Sequence, residues 1–139
     1  MNEFGKGRFH AYSGGSHPTG VVNPLALRAL QVHGITSGDF RSKSWDEFAK
    51  ADSPVMDFVF TVCNQAAGEA CPFWPGQPVT AHWGVPDPVA FPGTGEQKER
   101  KFLDVAVTLK RRIELLLALP LHWLDSLALK RELKDIGLR

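Results

Sequence analysis

Three side chains that can do chemistry fall within one stretch of the sequence, from Asp57 to Pro88. Both cysteines of the chain are here. Cys63 ends an apolar run, Phe58-Val59-Phe60-Thr61-Val62, and Cys71 follows eight residues later across a loop containing Gly68. A loop of that length can bring two sulfurs together, and a closely spaced thiol pair in a reducing compartment can serve as a redox couple. The third group is Asp87, held before Pro88 in a proline-rich loop. A carboxyl that is to donate a proton near neutral pH needs burial, or an adjacent anion, to keep that proton. Each group also has a purely structural reading. Free cysteine is among the most buried residue types, so Cys63 and Cys71 also read as unreactive thiols. Asp-Pro is a common turn former. A zinc site made from Cys63, Cys71 and His82 is a further alternative, weakened by a ligand spacing wider than zinc sites favour.

The elements that must position these groups are legible from pattern. The run ending at Cys63 is short, aromatic and β-branched, and reads as a strand buried on both faces. Thr80-Ala81-His82-Trp83 reads as a second short strand, with Pro72, Pro75, Pro78, Pro86, Pro88 and Pro92 excluding other regular structure around it. Open α/β sheets place their chemistry outside the carboxyl ends of the strands, which is where this order puts all three groups. Ahead of them, Arg8 to Tyr12 reads as a strand, followed by the turn-forming run from Ser13 to Gly20. A helix has Asn23 as N-cap, Pro24 at its first position, and Gly34 just past its end. Ser44-Trp45-Asp46-Glu47 fits the capping box of a short helix ending near Lys50.

After the proline-rich loop the period changes to that of a long amphipathic helix, from Gln97 to Leu119. Phe102, Val105, Ala106, Leu109, Ile113, Leu116 and Leu117 lie on its apolar face, and Lys110-Arg111-Arg112 reads as a solvated one. Pro120 interrupts it. A final helix runs from about Ser126 to Ile136, with Asp125 as cap and Gly137 as stop. Strands separated by helices predict an α/β fold with a small parallel sheet flanked by helices.

Composition narrows the function classes. A chain of 139 residues suits one domain, residues 1–139, with 43% hydrophobic and 22% charged residues. A formal net charge of +1 gives no electrostatic reason to expect nucleic acid or an acidic membrane as partner. No apolar run approaches the roughly 20 residues that span a bilayer, and the N-terminus lacks the apolar core of a signal peptide, so a cytoplasmic location is expected. His10, His17, His33 and His122 read as surface or satisfied histidines. Trp45, Trp74, Trp83 and Trp123 read as anchors of core and loops.

The ordered segments Ala11-Tyr12-Ser13-Gly14-Gly15-Ser16, Val22-Asn23-Pro24-Leu25-Ala26, Arg41-Ser42-Lys43, Asp57 through Cys63, Cys71-Pro72, and His82-Trp83-Gly84 with Asp87-Pro88 carry a resemblance. Together they resemble the arsenate reductases of the low-molecular-weight tyrosine phosphatase superfamily, over roughly residues 5 to 119. Residues 120–139 read as a basic helical extension. The resemblance implies a parallel sheet between helices and reduction of arsenate to arsenite by a relay of thiols. Asp87 would be the general acid that protonates the departing oxygen, Cys63 the second thiol of the relay, and Cys71 the resolving thiol. It implies no bound cofactor, with electrons from thioredoxin or from a glutathione/glutaredoxin system.

The departures are specific. The family's nucleophile lies in a Cys-x5-Arg anion loop after the first strand, and no such motif exists here: six residues after Cys63 stands Glu69, and six after Cys71 stands Gln77. The family's first strand and anion loop would precede residue 5, so activity is expected to be impaired. Gly14 stands where the family usually reads Ser-Ala-Gly. Lys43 stands where some members place an acid that helps to hold potassium, so no potassium site is expected. Without the first strand, the strands at 8–12 and 57–62 would pair directly, or a homodimer would fill the gap by exchange. The alternative function is that of a non-catalytic thiol protein binding arsenite through Cys63 and Cys71, or a structural remnant. Phosphotyrosine hydrolysis would need the same missing loop and has no use for two thiols.

Overall fold

The computed structural model describes residues 1–36, 38–63 and 74–139. In chain order the elements are α1 (Asn2–Gly5), α2 (Pro24–Val32), a 3-10 turn (Trp45–Phe48), β1 (Phe58–Cys63), β2 (Val79–Val85), α3 (Gly95–Leu117), a second 3-10 turn (Leu121–Trp123) and α4 (Ser126–Ile136).

β1 and β2 pair in parallel as a two-stranded sheet, so the α/β class with a small parallel sheet stands. Phe58 faces Val79, Phe60 faces Ala81 and Thr61 faces His82. The register then slips, and Cys63 stands opposite Val85. Two steps along β1 therefore match three along β2, the extra residue of a bulge at Trp83-Gly84.

One face of the sheet, with Phe58, Phe60, Val79, Ala81 and Trp83, packs on Leu116 of α3 and on Leu129, Leu133 and Ile136 of α4. The Trp83 indole is sealed there, its ring 4.1 Å from that of Phe60 and its Nε1 donating to the Leu133 carbonyl at 2.9 Å. Full burial of a leucine stabilises by about 1.5–3 kcal/mol, and burying an indole requires a partner for its N–H. The Leu133 main chain supplies that partner, so α4 is part of the core.

The helix punctuation forms largely as the sequence implies. Asn23 Oδ1 accepts from the Leu25 amide at 2.9 Å. At the other end, Gly34 adopts a φ of 78°, its amide donates to Gln31, and that of Ile35 reaches back to Leu30, a Schellman closure. α4 begins at the Asp125 cap, which accepts from the Ala128 amide at 2.7 Å. α3 begins two residues earlier than its apolar pattern. Thr94 and Gln97 form a reciprocal capping box, a signature present in the sequence but hidden behind the glycines on either side of Thr94.

Three expectations are corrected. Residues 8–12 are not a strand, and they pair with neither sheet strand. The Asn2 side chain takes both backbone groups of Ala11, accepting from its amide at 2.7 Å and donating to its carbonyl at 3.1 Å, so the ladder positions are occupied by an amide side chain. The sheet is therefore not repaired by direct pairing of 8–12 with 57–62. β1 is not buried on both faces: all of it is partly exposed, with Val62 at 41%. At Ser44 the hydroxyl accepts from Asp46, and Glu47 turns to Arg41 with contacts of 2.6 and 3.0 Å. The bidentate ion pair outcompetes the back-bond of a capping box, and only a 3-10 turn forms.

Candidate active site at the carboxyl edge of the sheet

Parallel pairing brings the ends of β1 and β2 to one edge. Cys63 is the last residue of β1, partly buried, with a free thiol. Its partner Val85 lies about 4.8 Å away across the ladder. Asp87 comes two residues beyond Val85, on the loop that leaves the same edge. The sulfur and the carboxylate thus share one edge, with no hydrogen bond between them among the described residues.

Asp87 is exposed and is fixed by its own turn, Oδ1 accepting from the Val89 amide at 2.9 Å. The turn-forming role of Asp-Pro is therefore realised, and it leaves Oδ2 uncommitted among the described residues. Lys98 of α3 holds the turn from the other side, donating to the Val89 carbonyl at 3.4 Å. Beside Cys63, Thr61 Oγ1 and His82 Nδ1 meet at 2.7 Å across the strands. By strand alternation Thr61 and Cys63 share the face away from Trp83. Cys71 lies outside the described residues, and so does any convergence of Cys71 with Cys63 or His82. Among the described residues no group of three or more His, Cys, Asp or Glu side chains could hold a metal ion. No described helix is long and apolar enough to cross a membrane.

Arg112 does not lie on a solvated helix face, contrary to the expectation for Lys110-Arg111-Arg112. Its residue is 7% exposed, and Nη1 donates to the Trp83 carbonyl at 2.7 Å and the Gly84 carbonyl at 3.3 Å. Both carbonyls lie within the bulge, so the guanidinium braces the edge that carries Cys63 and Asp87. Burial, with some repulsion from Arg111, holds the Arg112 pKa below its ordinary value. The signal was present: Val105, Leu109, Arg112 and Leu116 follow the four, three, four spacing of one helical face, so position 112 points inward whatever its charge.

No protein-family profile matches the chain. Whole proteins do. An arsenate reductase of Halalkalibacterium halodurans is 35% identical over 103 residues, covering 74% of this chain and 70% of that protein. Arsenate reductase 2 of Staphylococcus epidermidis is 32% identical over 99 residues, covering 71% of this chain and 72% of that protein. Arsenate reductase 2 of Staphylococcus haemolyticus matches with the same identity and coverage.

The chain belongs to the arsenate reductase family. Its fold departs from the expectation at residues 8–12, which form no strand. Gly14, one of the departures, has a local cause: a Cβ there would lie 2.9 Å from the Trp45 Cα and 3.0 Å from the Trp45 amide nitrogen. The segment at Gly15 bridges Ser44, its amide donating to Lys43 and its carbonyl accepting from Trp45, both at 3.0 Å. Only a glycine at 14 lets the two segments approach that closely.

Proposed function

We propose that this chain reduces arsenate to arsenite through Cys63 and Cys71, with Asp87 as proton donor and a thioredoxin or glutaredoxin system as electron source. The observation that carries the reading is the parallel register, which sets Cys63 opposite Val85 and so two residues short of Asp87. Membership of the arsenate reductase family supports the substrate.

The chemistry balances with these groups and an external thiol. A small thiol such as glutathione displaces water from arsenate and forms a sulfur–arsenic bond, with Asp87 protonating the departing oxygen. The Cys63 thiolate attacks that sulfur. A disulfide forms, and the sulfur–arsenic bond breaks with its electron pair left on arsenic, which departs as arsenite. Cys71 then attacks the Cys63 sulfur, releasing the small thiol and closing a Cys63–Cys71 disulfide. The dithiol of thioredoxin or glutaredoxin reduces that disulfide.

The test is arsenate-dependent NADPH oxidation by the purified chain with glutathione, thioredoxin and thioredoxin reductase. Turnover that Cys63→Ser and Cys71→Ser each abolish supports the relay. Stoichiometric arsenite binding that Cys63→Ser abolishes, with no arsenate turnover, replaces it by the arsenite-binding alternative.

A further inference from the structure

A cavity of about 250 Å³ opens between the end of β2, at Gly84 to Pro86, and the side of α3. Its α3 wall carries Lys101, Asp104, Thr108 and Arg112. Arg112 is more than nine-tenths buried, and its Nη1 is committed to the Trp83 and Gly84 carbonyls. Its Nε is buried without a hydrogen-bond partner, and Nη2 makes no hydrogen bond among the described residues. No carboxylate pairs with it among the described residues. A buried cation balanced only by carbonyl dipoles is uncompensated, and an anion placed against it recovers the ion-pair energy that burial otherwise forfeits.

The rest of the wall sets what kind of anion fits. Lys101 brings a second positive charge at the rim shared with a neighbouring cavity, where its Nζ stands 5.5 Å from the centre of the Phe91 ring. The Thr108 hydroxyl donates to the Asp104 carbonyl at 3.1 Å, so the cations and not the hydroxyl supply the donors. Asp104 is the opposing charge, on the exposed side of α3. Cavities for drug-sized ligands run from about 300 to 1,000 Å³, and this one falls below that range. A guanidinium matches the geometry of tetrahedral and planar oxyanions.

We propose that this cavity is a binding site for a small inorganic oxyanion, phosphate or arsenate, held chiefly by Arg112 and secondarily by Lys101. Pro86 lines the cavity and Asp87 follows it, so the site lies next to the carboxyl edge of the sheet yet uses none of the thiols. It stands or falls independently of the thiol relay.

The experiment titrates the purified full chain with inorganic phosphate, and separately with arsenate and sulfate, against potassium chloride at matched ionic strength. Amide resonances and the melting temperature are followed. The expected result is saturable binding that shifts the Gly84 and Thr108 amides and raises the melting temperature beyond the chloride control. The three titrations separate the oxyanions by affinity, and binding of any of them at these amides supports the site. Lys101→Met weakens binding several-fold and Asp104→Asn tightens it, because the one removes an attracting charge and the other a repelling one. Arg112→Met abolishes binding. Should that variant fail to fold, the Lys101 and Asp104 variants decide the matter. Cys63→Ser binds phosphate as the unaltered chain does. No saturable effect beyond chloride overturns the proposal, as do shifts confined to amides remote from the cavity. It is equally overturned if Lys101→Met and Asp104→Asn leave the affinity unchanged, or if Cys63→Ser abolishes binding, since the anion then sits at the thiol.

Discussion

Gly137 tests how α4 is seated on the sheet. Its φ of −61° and ψ of −16° suit any residue, so backbone strain does not account for the glycine. Space does. A methyl group at this position would stand 2.8 Å from the His82 carbonyl oxygen, 3.0 Å from Trp83 Cδ1 and 3.2 Å from the Lys134 carbonyl oxygen. Two of these are main-chain atoms, and one belongs to a paired strand that cannot rotate away. In Gly137→Ala two effects oppose each other. Alanine restricts the unfolded chain and so stabilises by about 0.4–1 kcal/mol. Overpacking against fixed atoms costs about 1–3 kcal/mol. The overpacking is larger, leaving a net loss of about 1–2 kcal/mol. For a chain of this size that is a drop in melting temperature of about 5 °C. Gly95, the first residue of α3, is the control, because a Cβ there meets nothing within 4 Å. Gly95→Ala keeps the entropic gain without the clash and is expected to be slightly stabilising. Urea unfolding followed by circular dichroism measures both variants. A midpoint for Gly137→Ala equal to or above that of the unaltered chain, with Gly95→Ala behaving as stated, refutes the close seating of α4 against His82.

Leu133→Ala removes a side chain with no exposed surface from beneath Trp83, and about 2–5 kcal/mol should be lost in the same urea assay; a loss below 1 kcal/mol would show that α4 is not part of the core. Asp87→Asn keeps an acceptor for the Val89 amide but cannot donate the proton, so arsenate turnover should fall about 100- to 10,000-fold with the melting temperature held; undiminished turnover leaves Asp87 a turn former alone. The Arg41 guanidinium holds the Glu47 carboxyl below its ordinary value, so this pair contributes above the ordinary carboxylate range and its contribution vanishes as pH falls through the lowered folded value. Both partners are exposed, so Glu47→Gln should flatten the acid side of the stability profile slightly and leave neutral-pH stability almost unchanged; a large loss at neutral pH contradicts that.

What the sequence made legible follows a physical division. Local punctuation could be read because its causes lie within a few residues: Asn23 before Pro24, Gly34 past the end of α2, and Asp125 before α4 are all found as caps or closures. The short aromatic and β-branched run became β1 for the same reason. Long-range competition was not legible. Residues 8–12 have the composition of a strand, but Asn2 reached Ala11 first. Glu47 had the spacing for a capping box, but Arg41 offered two hydrogen bonds where the Ser44 backbone offered one. Gly137 is a helix stop as its sequence position implies, but its backbone is right-handed and its need for glycine comes from His82, 55 positions earlier in the chain. At the site, the placement of Cys63 and Asp87 on one edge followed from the strand order. The bulge and the arginine that braces it did not, because Arg112 has the charge of a solvated residue at a position whose helical period turns it inward.

That arginine bears on the geometry of the sheet's carboxyl edge. In an unbroken parallel ladder Cys63 would face Gly84, and Asp87 would stand three residues beyond the partner of the thiol. The extra residue in β2 shifts the pairing to Val85 and draws the loop back by one residue, about 3.3 Å. A bulge so near the end of a two-stranded sheet has little ladder around it to hold it, and such a sheet is marginal without covering elements. Here the cover is specific. Trp83 is anchored from one side by the Leu133 carbonyl through its indole, and its own carbonyl is anchored from the other by Arg112. The bulge that sets this register is therefore held by α3 and α4, elements that carry neither Cys63 nor Asp87. A change on those helices that leaves Cys63 and Asp87 intact can still move the one out of register with the other.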